Sequence, residues 1–156
     1  MLPCLLTRPI KHSLRVKKKQ DKLVSLSYDW SNKKILIVED DRQSIIFYQS
    51  ALRKTGAEIH QVLNGKEAVK KCKETKYDLV LMDIQLPDMD GYEATRRIKK
   101  IDADILIIAQ TAFALSGEKQ KCLEVGCDDY ISKPIKITAL LKLIDGHINN
   151  RFRTTL

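Results

Sequence analysis

Glu39, Asp40 and Asp41 follow the apolar run Ile35–Val38, and Asp83 follows Leu79–Met82. Thr111 stands beyond Ile105–Ala109, and Lys133-Pro134 beyond Tyr130–Ile131. These side chains are far apart in the chain, so only a fold can bring them together. Crowded carboxylates repel unless a cation or raised pKa values relieve them. Mg2+ suits such a set, because it takes few carboxylates and keeps waters that a phosphate can replace. One carboxylate could then attack phosphorus and carry it as an aspartyl phosphate. A lysine and a hydroxyl nearby would offset charge on the phosphoryl oxygens during in-line transfer.

The elements that must position them read as five apolar runs alternating with helical patterns. Besides the four runs above there is Ile59–Leu63, broken by His60 and Gln61, which suits an edge strand. The other early runs are continuous in Ile, Leu and Val, as parallel strands covered on both faces require. Asn64 followed by Glu67 forms a capping-box pattern, and Gly56 and Gly126 stand where helices should end. Ile137, Leu140, Leu141, Ile144 and Ile148 recur at helical spacing and predict one buried stripe. Five β-α units predict an α/β, doubly wound, five-stranded parallel sheet with five helices and right-handed crossovers. In such sheets ligands sit beyond the carboxyl ends of the strands. Glu39, Asp40, Asp41, Asp83, Thr111 and Lys133 all lie at such an end.

Length and charge set the frame around this unit. The 156 residues fit one domain with a tail, and no apolar stretch is long enough for a membrane span. The net charge of +8 is uneven: residues 1–32 hold seven Lys/Arg against two Asp, while the remainder is nearly balanced. We therefore read 1–32 as a basic, flexible extension, 33–149 as the domain and 150–156 as a tail. The order of charge and apolar residues at the N-terminus does not fit a secretory signal, so the expected location is cytoplasmic. Cys4, Cys72, Cys122 and Cys127 include no CxxC pair and read as reduced thiols. Arg96-Arg97 and Lys99-Lys100 read as a solvated helix face, and Pro87, Asp88, Asp90 and Gly91 as turn chemistry.

The segments ILIVEDD, LVLMDIQLPDMDGYEATRRIK, IIAQTA and GCDDYISKP resemble the signature segments of response-regulator receiver domains. The resemblance spans residues 33 to about 149, with all four segments in order. It implies a flavodoxin-like fold with strand order 2-1-3-4-5, the order known for a member of this family. It implies Asp83 as phosphoacceptor, with Glu39, Asp40, Asp83 and the Gln85 backbone carbonyl around Mg2+, Mn2+ being the alternative ion. It further implies Lys133 as the phosphate-pairing lysine, Thr111 as the switch hydroxyl and Tyr130 as the aromatic that turns on activation. A cis peptide between Lys133 and Pro134 belongs to the same pattern. The implied donor is a sensor histidine kinase or a phosphotransfer protein, and phosphorylation-dependent homodimers are among the assemblies it allows.

Other readings fit less well. A detached receiver of a hybrid histidine kinase is the nearest alternative, since SYDWSNKK resembles the lead-in of hybrid-type receivers. A haloacid-dehalogenase-like phosphatase needs a DxDx[TV] loop, which Glu39-Asp40-Asp41-Arg42 does not supply. Nucleic acid is not an expected partner, because the aromatics Tyr28 and Trp30 lie away from the Lys17-Lys18-Lys19 cluster. His12, His60 and His147 stand in no phosphotransfer context.

Overall fold

The computed structural model describes residues 28–112 and 116–150. Cys4, His12, the lysine cluster, most of the expected extension and residues 151–156 lie outside the described residues. Strands β1 (Lys34–Val38), β2 (Glu58–Val62), β3 (Leu79–Asp83), β4 (Leu106–Thr111) and β5 (Asp129–Ser132) alternate with five helices. The helices are α1 (Arg42–Arg53), α2 (Gly65–Glu74), α3 (Gly91–Ile101), α4 (Ser116–Glu124) and α5 (Ile137–Asn150). All strand pairs are parallel, in the order β2-β1-β3-β4-β5. The flavodoxin-like topology therefore stands as expected.

Side-chain alternation along each strand feeds two cores. Ile35, Ile37, Leu79, Leu81 and Ile108 meet Tyr48 and Leu52 of α1 and Leu140 and Ile144 of α5. Leu36, Val38, Val80, Met82 and Ile107 meet α2, α3 and α4 through Val69, Ile98 and Cys122. Both faces of the central strands are thus dry, which is why those runs are continuously apolar.

Local chemistry sets the helix starts. Asp41, Asn64 and Asp90 each accept a hydrogen bond from the backbone N–H three residues on, capping α1, α2 and α3. Gly56 and Gly126 adopt positive φ of 77° and 107° just past α1 and α4.

Three expectations are corrected. The domain begins before residue 33: Trp30 is 1% exposed within the α1/α5 core, and its indole Nε1 donates to Asp145 Oδ1 at 3.2 Å. Its backbone N–H donates to Thr55 O at 2.7 Å, so the segment before β1 closes over the end of α1. Tyr28 packs beside it, ring centroids 5.5 Å apart. Ile137 leaves the apolar stripe, being 40% exposed in the first turn of α5, whereas Leu140, Leu141, Ile144 and Ile148 are buried. Lys99 leaves the solvated face, because its ammonium reaches Asp128 Oδ2 at 2.9 Å and Ile105 O at 2.7 Å.

Candidate functional site

The expected residues converge at the carboxyl ends of β1, β3, β4 and β5. Glu39 and Asp40 follow β1, Asp83 ends β3, Thr111 ends β4, and Lys133 follows β5. Oxygen atoms of Glu39, Asp40 and Asp83 lie within 4.8 Å of one another. Glu39 and Asp83 are buried, at 1% and 5% exposure, while Asp40 is open to solvent.

Lys133 joins the two buried acids. Its Nζ donates to Glu39 Oε2 at 2.9 Å and to Asp83 Oδ2 at 3.0 Å. Burial alone would depress this ammonium's pKa, but the two carboxylate hydrogen bonds outweigh it and hold it above the ordinary lysine value. Burial raises the Glu39 pKa, even though Lys133 and the Asp41 N–H pull it down. The second oxygens are also held: Asp41 N–H donates to Glu39 Oε1 at 3.1 Å, and Gln85 N–H to Asp83 Oδ1 at 2.8 Å.

The loop after Asp83 is shaped by sterics. Asp88 has φ 64°, and Met89 N–H donates back to Pro87 O across it at 2.8 Å. Gly91 N–H donates to Ile84 O at 3.0 Å, and a Cβ on Gly91 would collide with the Asp83 carbonyl oxygen. Gly91 is therefore needed for close approach, a reason hidden behind its turn-like neighbours in the sequence.

Around Thr111 the geometry adds residues that motif reading missed. Lys133 N–H donates to Thr111 O at 2.8 Å, tying the lysine to the β4 end, and the Lys133–Pro134 peptide is cis. Thr111 Oγ1 donates to Glu118 Oε2 of α4 at 3.2 Å, and Tyr92 Oη of α3 donates to the same oxygen at 2.9 Å. Nothing in the spacing of Tyr92 and Glu118 marks them, since they come from separate helices. Tyr130 is half-buried against the α2–α4 face, with Lys119 Nζ 5.5 Å from its ring centroid.

The family model for the response regulator receiver domain matches residues 35–145. The chain belongs to that family. A receiver is the phosphoacceptor module of two-component signalling. Hybrid signal transduction histidine kinase G of Dictyostelium discoideum is 45% identical over 119 residues, which cover 73% of this chain and 4% of that protein. The polar-differentiation response regulator DivK of Brucella anthropi is 36% identical over 76% of this chain and 98% of its own length. The chain thus spans only a small part of the hybrid kinases it matches and nearly all of a stand-alone regulator. The receiver domain of sensor histidine kinase PA1611 from Pseudomonas aeruginosa, solved with magnesium in its active-site cleft, matches at TM-score 0.70 and 37% identity. That match covers 75% of this chain and 98% of the other. The Saccharomyces cerevisiae Ssk1 receiver, solved with the phosphotransfer protein Ypd1, is part of a structure matching at TM-score 0.70 and 34% identity. There the coverage is 72% of this chain and 86% of that one.

Proposed function

We propose that this receiver accepts a phosphoryl group on Asp83 from a phosphohistidine in a sensor kinase or phosphotransfer protein. The observation that carries the reading is Lys133 Nζ bridging Glu39 and Asp83 at 2.9 and 3.0 Å beside a third carboxylate. An Asp83 oxygen attacks phosphorus, an oxygen–phosphorus bond forms, and the donor's nitrogen–phosphorus bond breaks with its electron pair left on the imidazole. Lys133 then has a phosphoryl oxygen to pair with in place of the Asp83 carboxylate charge.

The donor set of Glu39, Asp40 and Asp83 is all oxygen, anionic and partly open, which fits Mg2+ and also Mn2+. Such an ion, with the Gln85 carbonyl as a further ligand, would relieve the carboxylate repulsion and withdraw charge from the phosphoryl oxygens. Thr111 and Tyr130 carry the response: the Thr111 hydroxyl turns to the phosphoryl group, and Tyr130 follows into the space left beneath α4. The chemistry is confined to the chain's own carboxylate, so the protein is a switch and not a turnover enzyme.

Incubation with acetyl phosphate and Mg2+ should add one phosphoryl group, about 80 Da. Asp83→Asn should abolish the gain, and excess chelator should suppress it. Full labelling of Asp83→Asn would sink the assignment of the acceptor. Equal rates with and without chelator would sink the role given to Glu39 and Asp40. A second reading, a receiver within a longer hybrid kinase, is supported by the 45% identity to hybrid kinase G.

A further inference from the structure

Thr111 ends β4, one residue past the Gln110 that pairs with Asp83, and its hydroxyl meets a carboxylate. Its Oγ1 donates to Glu118 Oε2 at 3.2 Å. The same oxygen accepts from Tyr92 Oη at 2.9 Å, and Lys121 Nζ lies 4.2 Å from the centroid of the Tyr92 ring. One carboxylate oxygen therefore ties β4, α3 and α4 together. Thr111 and Tyr92 are both buried, so this junction is shielded from solvent on the sheet side.

A hydroxyl has one proton to donate. If Thr111 gives it to a phosphoryl oxygen on Asp83, it cannot keep giving it to Glu118. The two anions compete for one donor. We infer that Glu118 is a positioning residue that holds the Thr111 proton away from the phosphoryl site in the resting protein, and so sets how readily the phosphorylated state forms. This rests on the phosphoacceptor reading of Asp83.

The geometry makes the hold releasable. Strong O–H···O⁻ bonds run nearer 2.5–2.7 Å by general experience, and the 3.2 Å contact is longer than that. Tyr92 keeps its own bond to Glu118 after Thr111 turns away, so the carboxylate is not stranded without a partner. Glu118 sits in the first turn of α4, so releasing Thr111 loosens one tie between β4 and that helix. Occupancy of Asp83 is in this way converted into a change at α4.

The test is binding of beryllofluoride with Mg2+, a phosphoryl mimic, followed by isothermal titration for wild type, Glu118→Ala, Glu118→Gln, Thr111→Ala and the Thr111→Ala/Glu118→Ala double variant. Glu118→Ala should bind the mimic roughly tenfold more tightly, the factor that one hydrogen bond to a charged group supports. Glu118→Gln should fall between, since an amide oxygen still accepts but carries no charge. In the Thr111→Ala background, removing Glu118 should gain nothing, because no proton is left to compete for. A purely structural role would lower the melting temperature without tightening binding. Unchanged or weaker binding in both Glu118 variants overturns the proposal. So does an equal gain with and without Thr111, which would be charge repulsion acting alone. Wild type that labels on Asp83 while Glu118→Ala shows no gain refutes this inference only. Wild type that neither labels nor binds the mimic refutes the phosphoacceptor reading and this inference together.

Discussion

Lys133 decides the charge state of the site. It is the ammonium facing two buried carboxylates, and among the described residues each of those carboxylates takes one further hydrogen bond, from Asp41 or Gln85. Replacing it with Met leaves Glu39 buried beside Asp83 without its cation. The Glu39 pKa is already raised by burial, and losing Lys133 removes the main influence that lowers it. An acid with a raised folded pKa contributes stability that is present below its unfolded value and lost as pH rises through the folded one. The Lys133→Met deficit should therefore be small near pH 4 and grow towards pH 8. Leaving a buried acceptor unsatisfied costs roughly 1–3 kcal/mol, and the low end is expected because the lysine side chain is 29% exposed. Urea unfolding with chelator at both pH values checks this; an equal deficit at the two would contradict it.

At the scale of elements, the loop between β3 and α3 shows where the sequence is legible and where it is not. Apolar runs locate all five strands to within two residues; the central three are dry on both faces and admit little else, while β2 and β5 are partly exposed edges. The caps Asp41 and Asn64 are equally readable, since each acts within its own turn. Site residues at strand ends follow from the topology. What local pattern cannot show is contact between distant segments: Glu118 with Thr111 and Tyr92, Lys99 with Asp128, or Gly91 against Asp83. Gly91 gives the sharpest consequence. Its missing side chain lets α3 begin directly beneath the Asp83 carbonyl, and the Asp90 cap fixes the helix start there. Gly91→Ala must push the loop or the helix away, an overpacking cost of about 1–3 kcal/mol. It should lower the melting temperature and also slow acetyl phosphate labelling, because Asp83 moves with the loop. A stable variant that labels at the wild-type rate would show that the loop absorbs the methyl group elsewhere.

For the molecule as a whole, the question is where the folded unit begins. Charge and the first apolar run put the boundary at residue 33, because the segment before it is basic and lacks a helical or strand period. The two aromatics Tyr28 and Trp30 were the available signal, and they belong to the domain. Trp30 fills the space between α1 and α5, bonds Asp145 through its indole and Thr55 through its backbone, and is followed by the turn that Lys33 N–H closes onto Trp30 O at 2.8 Å. This segment thus clamps the two helices that flank Lys133 on one face of the sheet. Removing residues 1–27 should leave the melting temperature unchanged, whereas removing 1–32 should lower it markedly. Trp30→Ala should cost about 3–5 kcal/mol, the range for deleting a large buried aromatic. Trp30→Phe should recover much of that, losing the Asp145 bond while keeping most of the packing. Differential scanning calorimetry of the four proteins separates the two boundaries. Equal melting temperatures for the two truncations would return the boundary to residue 33 and mean that the Trp30 contacts contribute nothing to stability.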